Sequence, residues 1–165
     1  GGFRMPLPPT ERIWPTATGK AMFSVFKGVH ENVVVEGEDV MRLVTLRSHD
    51  QYNTTIYAMD DRYRGVFGRR DVLFMNEQDM AAQGLEHGDR VDIHTALPDS
   101  ELTLEDITVV AYGIAPGTVG AYYPEANVLV PLNYLDEESG TPSYKSVPVR
   151  LTLRSKEIRP LAGGR

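Results

Sequence analysis

Apolar residues recur along this chain in short runs broken by Gly, Pro and Asp. Val40–Arg47 alternates, with Val40, Arg42, Val44 and Leu46 on one face and Met41, Leu43, Thr45 and Arg47 on the other. Both faces are largely apolar, the pattern of a strand covered on both sides. Ala21–Phe26, Val72–Met75, Arg90–Ala96, Leu102–Ala111, Gly117–Tyr123, Val128–Pro131 and Val147–Leu153 carry further strand patterns between turn-forming residues. One helix is signalled after Met75. Asn76 suits its N-cap, Glu77 and Asp79 its first turn, and Gly84 its stop. Seven or eight short strands with one or two small helices predict a mainly β chain closed into a barrel. The sequence shows no internal repeat.

The length of 165 residues suits one hydrophobic core, and 41% hydrophobic residues with 15 Gly and 11 Pro suit a globular, turn-rich domain. No apolar run approaches the about 18 residues of a membrane span, so no membrane partner is expected. With 0 Cys, thiolate metal sites, iron–sulfur clusters and cysteine nucleophiles are excluded within this chain, and a reducing cytoplasm is the natural setting. The first residue is Gly, and four prolines fall within residues 1–19. Residues 1–39 therefore read as an entry arm from a preceding domain, 40–155 as the barrel and 156–165 as a flexible tail, the whole an excerpt of a longer chain.

Net charge is 17 − 23 = −6, which argues against a nonspecific nucleic-acid binder. Its distribution is more informative. Residues 41–70 carry 6 basic and 3 acidic groups, 71–144 carry 1 and 14, and 145–165 carry 6 and 1. If folding joins the two basic stretches, an acidic domain gains one positive edge suited to a local anion.

The densest polar stretch, Arg47 to Thr55, leaves the end of the Val40–Arg47 strand, where ligand groups are commonly mounted. Arg47 can fork onto a phosphate, with Asn53, Thr54 and Thr55 adding donors. Asp50 or Gln51 can read a purine edge, and Tyr52 can stack on a ring. The bland alternative is a turn held by its own side-chain-to-backbone bonds. Ser48-His49-Asp50 is no hydrolytic triad, because consecutive residues of an extended chain point to opposite faces. His30, His49, His87 and His94 lack metal-ligand spacing, and no Gly-rich phosphate loop is present. Asp60–Arg70 sets four Arg between glycines, and reads as a self-neutralising surface loop or as a basic loop contacting phosphate or a partner. Asn127 precedes an apolar run as turn residues do. Lys145 is the first positive charge after Arg90, which marks it as a placed cation.

In order along the chain, these motifs resemble the C-terminal dinucleotide-binding domain of molybdopterin oxidoreductases, especially formate-dehydrogenase-like alpha subunits. The resemblance runs over about Val40–Leu153, with Trp14–Phe26 similar to the lead-in segment. It rests on Arg47–Thr55, on the strand–helix–Gly-Asp unit Val72–Asp89, on Val91–Ala96, on Asn127–Leu129 and on Pro142–Lys145. Val130 replaces a common Thr and Ser143 a common Glu, so one hydroxyl contact of the family pattern is missing.

The resemblance implies a double-psi β-barrel that holds molybdopterin guanine dinucleotide. Arg47, His49, Asp50, Gln51, Asn53 and Thr54 would line the dinucleotide, and Asn127, Tyr144 and Lys145 would approach the pterin or its phosphate side. It also implies that the metal's protein ligand lies on other domains of a larger oxidoreductase. This chain would then bind and not catalyse by itself. The competing expectation is a stand-alone barrel serving as a protein-interaction module, with an exposed apolar or arginine groove.

Overall fold

The computed structural model describes residues 1–23, 25, 37, 39–136 and 139–156. The chain divides into two compact units, residues 1–34 and 35–165. Every described residue of the first unit is exposed, and the only regular element among them is a 3-10 turn, Pro8–Glu11, that opens on Pro. The strand expected over Ala21–Phe26 is not seen at residues 21–23 and 25, while 24 and 26 lie outside the described residues. A short apolar run becomes a strand only when a neighbour pairs with it, and Met22, Phe23 and Val25 stay exposed.

Among the described residues, the second unit holds six strands, where seven or eight are expected along the chain. They are β1 (Met41–Leu46), β2 (Val72–Met75), β3 (Arg90–Thr95), β4 (Thr103–Ala111), β5 (Thr118–Tyr122) and β6 (Val147–Ser155). They close into a barrel in the order β1-β5-β2-β4-β3-β6, which leaves no free sheet edge. β1 runs parallel to β5 and β2 parallel to β4, and the other pairs are antiparallel.

Exchanging β1 with β4, β2 with β5 and β3 with β6 reproduces the same set of pairings, parallel onto parallel and antiparallel onto antiparallel. The barrel therefore has two topologically equivalent halves, each lending a strand to a parallel pair of the other. This interlocked arrangement is the double-psi β-barrel.

Residue types explain the placement of the strands. Val72–Met75 is apolar throughout because both its faces are covered. Leu73 and Met75 enter the main core with Leu43, Val91, Ile93, Val109 and Val149, whereas Val72 and Phe74 join a second cluster with Val66, Val110 and Tyr122. The helix, α1 (Glu77–Ala82), is capped as its sequence predicts. Asn76 Oδ1 accepts the Gln78 N–H at 2.8 Å. Gly84, at φ 66°, ends it, with the Leu85 N–H donating to Met80 O at 2.8 Å and the Gly84 N–H to Ala81 O at 3.2 Å.

The strand expected over Val128–Pro131 is instead the end of a 3-10 turn, Glu125–Leu129. Its buried residues, Ala126 and Leu129, are three apart, which matches the three-residue period of that turn rather than the two of a strand. The turn occupies the place in the second half that α1 holds in the first. Among the described residues, no helix is long and apolar enough to cross a membrane.

Candidate functional site

Because β1 and β5 are parallel, both chains leave the barrel at the same rim. Their ladder ends at Leu46 opposite Tyr122, with one last bond from the Tyr123 N–H to Leu46 O at 2.7 Å. Beyond it a cavity of about 220 Å³ opens, lined by Thr45, Arg47, Asn53, Thr54, Tyr123, Tyr144 and Lys145. The Tyr144–Lys145 wall is tied in by the Thr45 N–H, which donates to Tyr144 O at 3.2 Å. The two basic stretches of the sequence thus meet in one pocket.

The electrostatics of this pocket are one-sided. Among the described residues, its lining holds two cationic side chains and no carboxylate. Lys145 Nζ donates to Thr45 O. Burial first, and the nearby Arg47 charge second, hold the Lys145 ammonium below its ordinary value of 10.5. The Tyr123 and Tyr144 rings stand 6.1 Å apart, with Lys145 Nζ 5.3 Å from the centre of the latter. Thr45 is fully buried, and its Oγ1 has no hydrogen-bond partner among the described residues. Two cations, an unpaired hydroxyl and two aromatic rings suit a ligand that carries both phosphate and ring. The volume admits part of a dinucleotide, not all of it.

Of the residues that the sequence singles out, Arg47, Asn53, Thr54, Tyr144 and Lys145 share this lining. Gln51 stands behind it. Its Nε2 donates to Asn53 O at 2.9 Å and Tyr123 O at 2.7 Å, and its Oε1 accepts from the Ser48 N–H at 3.1 Å and Arg70 Nη2 at 3.0 Å. His49 Nδ1 lies 2.9 Å from Asp61 Oδ1, and its ring is 4.6 Å from that of Tyr63. Asp50 pairs loosely with Arg62 at 3.7 Å in an exposed position. Asn127 is exposed on its 3-10 turn and outside the lining.

Sequence reasoning missed Thr45 and Tyr123 in the lining, and it missed what the Asp60–Arg70 segment does. That segment neutralises itself in part, Arg64 on Asp61 and Arg69 on Asp71, but it is no simple surface loop, since Asp61 and Arg70 are both buried. Asp61 accepts from Arg64 Nη1 at 2.6 Å and from the Tyr122 hydroxyl at 2.9 Å, besides its contact with His49. Arg64 in turn donates to Arg47 O at 3.0 Å. Burial pushes the Asp61 carboxyl up, but the bonds from Arg64, His49 and Tyr122 outweigh it and leave the group below its ordinary 3.8. Burial and then Asp61 push the Tyr122 phenol well above its ordinary value.

Arg70 donates from Nε to Glu125 Oε1 at 2.6 Å, from Nη1 to Ser48 Oγ at 3.0 Å and from Nη2 to Tyr123 O at 2.9 Å. Its guanidinium lies against the Tyr57 and Tyr122 rings. One signal in the sequence was available for Thr45: it is the lone hydroxyl on a strand face that otherwise presents Met41 and Leu43.

The chain is similar to several known proteins. YdeP of Escherichia coli (strain K12) is 43% identical over 154 residues, covering 92% of this chain and 20% of the relative. An uncharacterized oxidoreductase of Mycobacterium tuberculosis (strain H37Rv) is 47% identical over 156 residues, covering 91% of this chain and 20% of the relative. The chain thus spans about a fifth of the length of the curated relatives it matches. Among solved structures, acetylene hydratase from Pelobacter acetylenicus aligns with a TM-score of 0.50 at 14% identity, over 69% of this chain and 18% of that one, a likeness of fold. The family model described as "Molydopterin dinucleotide binding domain" matches residues 41–148, from the first residue of β1 into β6. The chain belongs to the molydopterin dinucleotide binding domain family.

Proposed function

We propose that this chain binds molybdopterin guanine dinucleotide as one domain of a larger molybdenum-dependent, formate-dehydrogenase-like oxidoreductase of the cytoplasm, and that the pocket at the β1/β5 rim receives a phosphate-bearing part of that cofactor. The observation that carries the reading is the meeting of Arg47 and Lys145 in one lining that, among the described residues, has no carboxylate and includes a buried hydroxyl without a partner.

Arg47 forks onto phosphate oxygens while Lys145 supplies a point charge. Asn53 and Thr54 complete the donors, the Thr45 hydroxyl finds its missing partner, and Tyr123 and Tyr144 face a ring. His49, Asp50 and Asn127, exposed outside the pocket, meet whatever part of the cofactor extends beyond it. The cofactor, when bound, supplies the metal redox chemistry, and the residues of this chain hold and orient it.

The larger protein is inferred from the relatives' length and from the first unit. Phe3, Phe23 and Val25 are 88%, 94% and 89% exposed, and apolar surface on that scale is ordinarily covered by more polypeptide. The other expectation, an interaction module with an exposed apolar or arginine groove, has less support on its arginine side, because Arg64 and Arg70 are held by Asp61 and Glu125.

Titration of the chain with GDP, followed by amide NMR shifts, tests the reading. Shifts are expected at Arg47, Asn53, Thr54, Tyr144 and Lys145. No shifts, or shifts confined to the acidic stretch 71–126, would overturn it.

A further inference from the structure

We propose that Gln51 and Arg70 are positioning residues of this pocket, acting on the anion through the wall that carries Arg47, Asn53 and Thr54 rather than by touching it. The inference rests on the reading above and assigns Gln51 a different part from the one its sequence context suggests.

Where backbone pairing stops, the pocket begins. After the Tyr123 N–H to Leu46 O bond, the chain leaving β1 and the chain leaving β5 diverge. Across that gap, Gln51 and Arg70 both donate to the carbonyl of Tyr123, and both are bonded to the Arg47–Thr54 loop. Tyr123 and Asn53 are themselves lining residues on the two walls.

The chemistry of the two side chains fits a brace. An amide offers two N–H donors and two acceptor sites. Gln51 uses all four within the chain: Asn53 O, Tyr123 O, the Ser48 N–H and Arg70. A ligand contact would require breaking one of them. Arg70 is fixed more tightly still. Its guanidinium is buried, forked onto Glu125, bonded to Ser48 and Gln51, and stacked 4.2 Å from the centre of the Tyr57 ring. A planar fork that meets so many acceptors is not replaced by Lys.

Positioning matters here because the two cations of the pocket repel each other. The Arg47 charge already depresses the Lys145 ammonium. Without a fixed wall, Arg47 can relax away from Lys145 towards water, and the pocket loses the converging charge that a phosphate recognises.

The test uses Gln51→Met, which keeps size and removes all four bonds without stranding a buried charge, beside Arg70→Lys. In the unliganded chain, amide hydrogen exchange at Tyr52 and Ile56, whose mutual backbone bonds close the loop around Asn53 and Thr54, is expected to rise in both variants while strand amides of β2 and β5 stay protected. GDP affinity is expected to fall about tenfold, the worth of one or two lost hydrogen bonds. Arg47→Ala should weaken GDP less in the Gln51→Met background than in the parent chain, a non-additivity that general loss of stability does not produce.

Unchanged exchange at Tyr52 and Ile56 in Gln51→Met overturns the brace, whatever GDP does. Strictly additive losses overturn its action through Arg47. Failure of the parent chain to bind GDP counts against the proposed function alone, and the exchange measurement then still decides the brace.

Discussion

Lys145 donates its ammonium to the carbonyl oxygen of Thr45, a residue 100 positions earlier in the chain. Thr45 also carries the buried side-chain oxygen that lacks a partner among the described residues. One strand residue thus anchors a cation through its backbone and offers an unused hydroxyl beside it. A fold does not gain from such a hydroxyl: burying it unpaired costs about 1–3 kcal/mol. Its presence is explained if something outside the chain supplies the missing bond.

Thr45→Val separates stability from binding on this basis. Val keeps the shape and removes the unpaired group, so the melting temperature is expected to rise, by an amount set by about 1 kcal/mol. GDP affinity is expected to fall several-fold in the same variant. Calorimetric melting and titration together check it. A fall in both, or in neither, contradicts the assignment.

Lys145 predicts a pH dependence. Burial and Arg47 hold its ammonium below 10.5, whereas a bound phosphate favours the charged form and raises it again. Anion binding therefore takes up a proton across that interval. GDP affinity is expected to be flat near neutrality and to decline on the alkaline side, starting below pH 10.5. Lys145→Arg keeps its charge throughout and should abolish the decline. For stability the sign is opposite. The unfolded chain holds this proton more tightly than the folded one, so unfolding free energy rises with pH over the same interval. Lys145→Met accordingly should not lower the melting temperature at pH 7.

The capping of α1 was fully legible, and it makes a clean test of the fold. Asn76 accepts from Gln78 and also donates from Nδ2 to Ile114 O at 2.9 Å, a contact that ties the helix to the loop before β5. Asn76→Ala is expected to destabilise by about 1–2 kcal/mol in urea unfolding. Asn76→Asp keeps the cap and loses the tie, and should fall between the two.

Legibility elsewhere followed the range of the interaction. β2 could be bounded to the residue because both its faces are covered and its apolar run is unbroken. The Val128–Pro131 segment misled because three apolar residues in a row do not distinguish a period of two from a period of three. The two equivalent halves were invisible, since they share a pairing pattern and not a sequence.

In the site, Arg47, Asn53 and Thr54 stood out as a polar loop after a strand, and Lys145 as a cation in an acidic region. Arg70 did not. A charged residue is buried only when paired, and its partner Glu125 lies 55 residues away. Of the cations that the segment charges brought together, the described pocket lining holds Arg47 and Lys145, while Arg64, Arg69 and Arg70 are each held by a carboxylate.

Asp61 offers the last test, one of acid stability. Its carboxylate is buried and bonded to Arg64, His49 and Tyr122, and these bonds hold it ionised below its ordinary 3.8. As pH falls, the unfolded chain therefore takes up this proton first. The stabilisation is complete above about pH 4 and is lost as pH drops from 3.8 through the folded-state value. Asp61→Asn removes the charge while keeping the shape. It leaves Arg64, only 16% exposed, without its ion partner, and should destabilise by about 3 kcal/mol near neutrality. The same variant should lose part of the acid limb, so that its unfolding free energy changes less than that of the parent chain between pH 5 and the most acidic point at which both still fold. Because Arg64 also holds the carbonyl of Arg47, loosening it should weaken GDP binding too. An unaltered acid limb in Asp61→Asn would mean that another carboxylate controls acid unfolding.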